Sequence, residues 1–183
     1  MVREYKGFLN ESDCLLMIGM AQNQFSKSTT LGNTIEGYRI AEGTWLRSDN
    51  HIIINHLNKI SEISGFSIEN MELVHIVKYE KGGEYKTHHD FFHPGESYYE
   101  GEMKRGGQRV KSALLYLNEN FTGGETEFPR INMKITPEIG KLVIWDNLLE
   151  DGTPDYDSLH AGLPVTSGTK YIAVVWIRCK KFV

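Results

Sequence analysis

The chain has 183 residues, 40% hydrophobic and 24% charged, with a formal net charge of −4. That length suits one domain that buries its own core without metal or disulfide support. The weakly acidic balance, with no Lys/Arg cluster, gives no electrostatic footprint for nucleic acid, and no apolar run approaches the ~18–20 residues that span a membrane.

The start, Met1-Val-Arg-Glu-Tyr, lacks the apolar stretch of a secretory signal, so the chain as it stands reads as cytosolic. Nothing in it specifies an oligomeric state. Of its two cysteines, Cys14 falls in an apolar helical stretch and Cys179 at the end of the last apolar run. Both are expected to be free and mostly buried, and no CxxC-type metal site exists.

In chain order, the first expected element is a helix from about Glu11 to Gln24. Asn10 caps it, and its apolar set is Cys14, Leu15, Met17 and Ile18. A second helix begins after Ser48, carries Ile53, Leu57, Ile60 and Ile63 at helical spacing, and stops at Gly65. From Met71 the pattern turns to strands. Met71–Tyr79, Val110–Leu117, Lys141–Asp146 and Lys170–Cys179 are rich in Val, Ile, Leu and aromatics, with Gly, Pro and Asn between them.

Helices first and short strands afterwards imply an α+β arrangement, or a β-sandwich with helices against one sheet. With no repeat or Pro/Ser-rich linker, residues 1–183 read as a single domain. The stretch Phe91–Gln108 is charged, Gly-rich and without periodicity, and is expected to be a long mobile loop acting as a lid.

The chemistry is concentrated in a few residues. In His88-His89-Asp90, strand alternation sends His88 and Asp90 to one side and His89 to the other. Far along the chain, His160 stands in Ser158-Leu-His-Ala-Gly-Leu-Pro. Two histidines and a carboxylate, leaving coordination positions open, form the ligand set of non-haem Fe(II) oxygenases, in which cosubstrate and O2 both reach the metal. The last strand puts Lys170, Ile172, Val174 and Trp176 on one side, and Tyr171, Ala173, Val175 and Ile177 on the other. Both faces therefore look buried. A lysine leading an apolar face costs several kcal/mol unless an anion meets it. No acidic residue of that strand can do so. Lys170 either snorkels to water or pairs with a bound carboxylate.

These residues sit in a recognisable order. The run Tyr79-Glu-Lys-Gly-Gly-Glu-Tyr-Lys-Thr-His-His-Asp90 resembles the prolyl 4-hydroxylase pattern. So do Arg109-Val-Lys-Ser-Ala-Leu-Leu-Tyr-Leu-Asn, Gly123-Gly-Glu-Thr-Glu-Phe-Pro, Gly140-Lys-Leu-Val-Ile-Trp and Gly168-Thr-Lys, the lysine falling ten residues after His160. The likeness extends from about Gly7 to Arg178.

The resemblance implies a mainly β fold: a double-stranded β-helix (a cupin-like jelly-roll) with N-terminal helices packed on one sheet. It implies that His88, Asp90 and His160 bind Fe(II) and carry catalysis, and that Lys170 pairs with the distal carboxylate of 2-oxoglutarate. Tyr79, Tyr116 and Thr126 match positions lining the cosubstrate pocket. Glu72, Tyr85, Arg109 and Trp176 match positions near the peptide or the reacting centre. The implied reaction hydroxylates C4 of prolyl residues in a proline-containing peptide or protein. It consumes O2 and converts 2-oxoglutarate to succinate and CO2, with ascorbate as reductant.

Tyr171 and Ile40-Ala41 depart from the family pattern. Tyr85, Trp45, Tyr98 and Tyr99 are candidate groove aromatics, His75 reads as a packed core or surface residue, and His93 lies at the start of the expected loop. Two other readings remain open at this point: a same-fold hydroxylase of a free amino acid or small metabolite, and a peptide-binding module without chemistry.

Overall fold

The computed structural model describes residues 1–28, 36–47 and 50–183. The first half runs β1 (Val2–Tyr5), α1 (Glu11–Ala21), β2 (Ser26–Lys27), β3 (Arg39–Ile40), β4 (Glu42–Leu46), α2 (His51–Ser64), β5 (Val74–Tyr79) and β6 (Glu84–His88). The second half runs α3 (Tyr99–Gly106), β7 (Arg109–Tyr116), β8 (Thr122–Gly123), β9 (Thr126–Phe128), β10 (Met133–Ile135), β11 (Leu142–Asp146), β12 (His160–Gly162), β13 (Val165–Ser167) and β14 (Lys170–Arg178).

The strands build two principal sheets, ordered β1-β11-β7-β14-β5-β4-β2 and β10-β9-β12-β6-β3, with β8 and β13 as a separate pair. This is the double-stranded β-helix, with α1 and α2 on the outer face of the larger sheet.

Strand alternation generates two cores. From β7, β11 and β14, the residues Ala113, Leu115, Leu142, Ile144, Ala173, Val175 and Ile177 pack with the helices. Their alternates Leu114, Tyr116, Val143, Trp145, Ile172, Val174 and Trp176 fill the space toward the smaller sheet. Covering both faces makes these strands read as nearly continuous apolar runs.

The Asn10 side chain accepts from the Asp13 amide at 2.8 Å to start α1, and Asn50 does the same for Ile52 at 2.9 Å to start α2. Ser48, taken above as the residue before α2, lies outside the described residues. Gly65, in the left-handed region at φ 77°, ends α2 as expected.

Several expectations need correction. The buried stripe of α1 is Cys14, Met17 and Ala21, while Leu15 is 56% exposed, because the stripe at spacing three and four leaves position 15 outside. Cys14 is buried but Cys179 is exposed, lying just beyond β14.

The segment Phe91–Gln108 is not a structureless loop. Phe91 and Phe92 are buried, α3 occupies its second half, and the Gln108 amide brackets the Phe92 main chain. Gln108 accepts from Phe92 N at 2.6 Å and donates to Phe92 O at 2.8 Å. Glu102 of α3 also pairs with the fully buried Arg178. A segment so anchored has no ground for the lid reading. Its ties run to distant residues, which local periodicity does not register.

Candidate metal and cosubstrate site

The sheet register creates the metal cluster. β6 and β12 are antiparallel neighbours, and His88, the last residue of β6, lies directly across from His160, the first of β12. The chain turns immediately after β6, so Asp90 sits just past the strand end. One ligand atom from each of His88, Asp90 and His160 lies within 4.8 Å of the others. His88 Nε2 is 3.7 Å from Asp90 Oδ1, and His160 Nε2 is 3.7 Å from Asp90 Oδ2.

The surroundings fit these side chains to a divalent metal. His88 Nδ1 lies 2.7 Å from the Lys86 carbonyl and His160 Nδ1 lies 2.9 Å from the Ser158 carbonyl. A carbonyl can only accept, so each imidazole carries its proton on Nδ1 and leaves the Nε2 lone pair free to ligate. Burial, reinforced by the neighbouring His160, pushes the His88 pKa down to about 3, which keeps that ring neutral.

Burial acts in the opposite sense on Asp90. The two histidines, Arg109 and the Ser112 hydroxyl overcome it and hold the carboxyl at about 2. Ser112 Oγ donates to Asp90 Oδ2 at 2.6 Å and accepts from Asn147 Nδ2 at 2.9 Å. Two imidazoles that turn Nε2 to the cluster and one ionised carboxylate, each oriented by an outer hydrogen bond, are a donor set suited to Fe(II).

Behind the cluster is an inner chamber bordered by Tyr79, Tyr85, Thr126, Lys170 and the ligands. Lys170 opens β14 across from Tyr79 of β5 and is 2% exposed. Its Nζ donates to the Gly124 carbonyl at 2.6 Å and lies 5.1 and 5.5 Å from the ring centroids of Tyr79 and Tyr116.

Gly124 permits this approach. Its φ is +69°, and a Cβ there would stand 3.0 Å from the Lys170 side chain. Among the described residues no carboxylate forms an ion pair with Lys170, and burial pushes its pKa down to about 7. Tyr116 OH and Thr126 Oγ1 are 2.7 Å apart, so Tyr116 sits behind the chamber wall and orients Thr126.

On the outer side the ligands open into a groove of about 960 Å³, within the range of ligand pockets. Tyr85 stacks on His88 with centroids 3.6 Å apart, and the Arg39 guanidinium lies 4.7 Å from the Tyr85 ring centroid. Arg109 makes a forked pair with Glu72, at 2.7 and 2.9 Å, and lies 4.0 Å from the Trp176 ring centroid. Glu72 also accepts from Arg178 Nε at 2.5 Å, so its carboxylate is committed to two arginines, the half-buried Arg109 and the fully buried Arg178.

The structure thus brings His88, Asp90, His160, Lys170, Tyr79, Thr126 and Tyr85 around one chamber, and Glu72, Arg109 and Trp176 to the groove outside it. His75, expected as core or surface, is buried in the groove wall against Trp45, and His93 lines the same groove. Sequence reasoning missed Ser112, Asn147 and the placement of Arg39. Only Ser112 left a signal, as a lone hydroxyl facing inward from an apolar strand.

Comparison with known proteins agrees with this geometry. Residues 74–178 match the model of the 2OG-Fe(II) oxygenase superfamily. A putative prolyl 4-hydroxylase of Acanthamoeba polyphaga mimivirus is 31% identical over 175 residues, covering 95% of this chain and 72% of that protein. Prolyl 4-hydroxylase 2 of Arabidopsis thaliana is 29% identical over 205 residues, covering 97% of this chain and 67% of its own length. The 2OG complex of the viral collagen prolyl hydroxylase from Paramecium bursaria Chlorella virus-1 superposes with a TM-score of 0.75 at 27% identity, covering 97% of this chain and 94% of that one. The chain belongs to the 2OG-Fe(II) oxygenase superfamily and, within it, to the prolyl 4-hydroxylase family.

Proposed function

We propose that the protein hydroxylates C4 of prolyl residues in a proline-containing peptide or protein. It would use Fe(II), 2-oxoglutarate and O2, with ascorbate as reductant, in the cytoplasm. The observation that carries this reading is one chamber holding a two-histidine, one-carboxylate cluster at its mouth and the Lys170 ammonium within, with no ion-pair partner among the described residues. An ammonium so placed fits the far carboxylate of a short dicarboxylate whose other end reaches the metal.

When bound, the iron supplies the oxidative decarboxylation of 2-oxoglutarate to succinate and CO2, coupled to oxygen insertion into a C–H bond. The protein's own groups bind, orient and exclude water. His88, Asp90 and His160 hold the metal in the orientation set by Lys86, Ser158 and Ser112. Lys170 fixes the cosubstrate's distal carboxylate, with Thr126, oriented by Tyr116, and Tyr79 alongside. Leu114, Ile172 and Val174 make that part of the chamber apolar, which strengthens the charge pairing inside. Tyr85, Trp176 and the Glu72-held Arg109 border the path from groove to metal, placing them to orient the substrate.

A peptide suits the groove better than a free amino acid. The groove is open and bordered by aromatic side chains, among them Trp45, which is 46% exposed. Extended proline-rich segments dock on surfaces of this kind. The test is incubation with Fe(II), 2-oxoglutarate, ascorbate and a panel of proline-containing peptides. The expected result is a gain of ~16 Da per target proline, one oxygen atom delivered by the cofactor chemistry, with one succinate per hydroxyl. Hydroxylation of free amino acids but of no peptide would move the assignment to a small-molecule hydroxylase. Failure to consume 2-oxoglutarate with any substrate would leave a binding module.

A further inference from the structure

The groove wall carries polar groups that the metal, the cosubstrate and the Arg109–Glu72 pair do not use. Ser28, His75 and Trp176 all border the groove, at 9%, 6% and 8% exposure. Ser28 Oγ, His75 Nδ1 and Trp176 Nε1 are each buried without a hydrogen-bond partner among the described residues. Buried polar groups are rarely left in that state, and several unpartnered groups along one cleft point to a ligand that completes them.

The local build shows how they are held. The His75 imidazole stacks on the indole of Trp45, with centroids 4.3 Å apart and planes 21° apart, and lies 5.8 Å from the Trp176 ring. On its other boundary is Gly43 of β4, where an added Cβ would meet His75 Nε2 at 2.5 Å and Ser28 Oγ at 2.8 Å. Gly43 is not among the positive-φ residues, so its backbone does not require glycine. The missing side chain is what lets the imidazole and the serine hydroxyl approach the strand together. Desolvation by burial, with Arg39 and Arg109 nearby, keeps this imidazole neutral in the working range. It therefore offers one N–H and one lone pair.

We propose that Ser28, His75 and Trp176 form a hydrogen-bonding subsite for an uncharged side chain that both donates and accepts, an amide above all, beside the target proline of the substrate. The inference rests on the reading of the groove as a peptide site. The serine hydroxyl and indole N–H can donate to the amide oxygen, and the imidazole lone pair can accept from the amide N–H. A carboxylate side chain would leave that lone pair unmet. A lysine or arginine side chain would find no free anion, because the described acids bordering the groove are committed. Glu72 holds Arg109 and Arg178, Glu102 holds Arg105 and Arg178, and Asp90 belongs to the metal cluster. Trp45 supplies a flat apolar edge for the side-chain stem.

The test is a set of equal-length peptides with one proline, each neighbour of which is in turn Gln, Leu, Glu or Lys, assayed for hydroxylation by wild-type enzyme and variants. The expected result is a KM for the Gln peptide about tenfold below that of the Leu peptide at one of the two positions, as one neutral hydrogen bond would give. The values of kcat should differ less, because the subsite touches no reacting atom. His75→Phe keeps the stack on Trp45 and should erase the Gln preference. His75→Gln should restore part of it. Ser28→Ala, the smallest change available, should reduce it without endangering the fold. Equal KM for Gln and Leu, preference for Glu, or a Gln preference that survives His75→Phe would overturn the subsite alone. Absence of hydroxylation across all peptides would overturn the peptide reading and the subsite with it.

Discussion

Lys170 yields the prediction with the largest expected effect. The residue is 2% exposed, its one strong polar contact among the described residues is the Gly124 carbonyl, and burial takes its pKa from the usual 10.5 to about 7. At about 1.4 kcal/mol per tenfold change, that displacement means the folded, ligand-free protein carries a penalty of about 5 kcal/mol at this position below pH 7. Replacing the side chain by a neutral one of similar length removes the penalty but leaves the Gly124 carbonyl without its donor, a loss of about 1 kcal/mol. Lys170→Met is therefore expected to be more stable than wild type by roughly 4 kcal/mol at pH 7, in protein free of metal and 2-oxoglutarate. The melting temperature should rise by roughly 10 °C.

The sign of the pH dependence follows from linkage. Between pH 7 and 10.5 the unfolded chain holds a proton on Lys170 that the folded chain has released, so wild-type stability gains on the variant as pH rises. Below pH 7 both forms keep the proton and the gap stays constant. Denaturant unfolding of both proteins from pH 6 to 10 measures this, and 2-oxoglutarate should stabilise wild type alone. A Lys170→Met protein less stable than wild type at pH 7, or a gap that does not narrow toward pH 10, would refute the claim that Lys170 waits as an unpaired buried cation.

Other perturbations act on separate parts of the site. His88→Ala or Asp90→Asn should abolish 2-oxoglutarate turnover and weaken metal binding measured directly by titration, while melting temperature changes little in the metal-free protein. Ser112→Ala removes the hydroxyl that holds Asp90 Oδ2 at 2.6 Å. It should lower metal affinity about 10-fold to 100-fold, as loss of outer-shell partners does; unchanged affinity would count against its orienting role. Glu72→Gln leaves Arg109 and the fully buried Arg178 without their shared carboxylate. Denaturant unfolding should show a loss of about 3–5 kcal/mol, and an effect below 1 kcal/mol would mean that Glu102 alone suffices for Arg178. On α1, Met17→Ala should cost about 2–5 kcal/mol, whereas Leu15→Ala should be close to neutral, since Met17 is 1% and Leu15 56% exposed.

The sequence by itself determined whatever local patterns and motif order express. Asn10 and Gly65 mark helix ends because capping is settled within a few residues. The strands β5, β7, β11 and β14 were legible because Val, Ile, Leu and aromatics are dense there, both faces being covered, whereas the short strands β8, β9, β10, β12 and β13 carry no such run. The metal residues and Lys170 were legible because their order along the chain carries a family's chemistry.

Only the tertiary structure decided what depends on residues far apart in sequence meeting. It placed His160 opposite His88 through strand register and supplied the Ser112 and Asn147 chain behind Asp90. It also folded Phe91–Gln108 onto Arg178, where charge and glycine content had indicated a mobile lid. Leu15 was misread because one helical turn offers several apolar candidates and only packing selects the stripe. His75 looked like an ordinary strand residue. Its meaning comes from Gly43 and Trp45 on β4 and Trp176 on β14, the strands on either side of its own, and no window along the chain contains that arrangement.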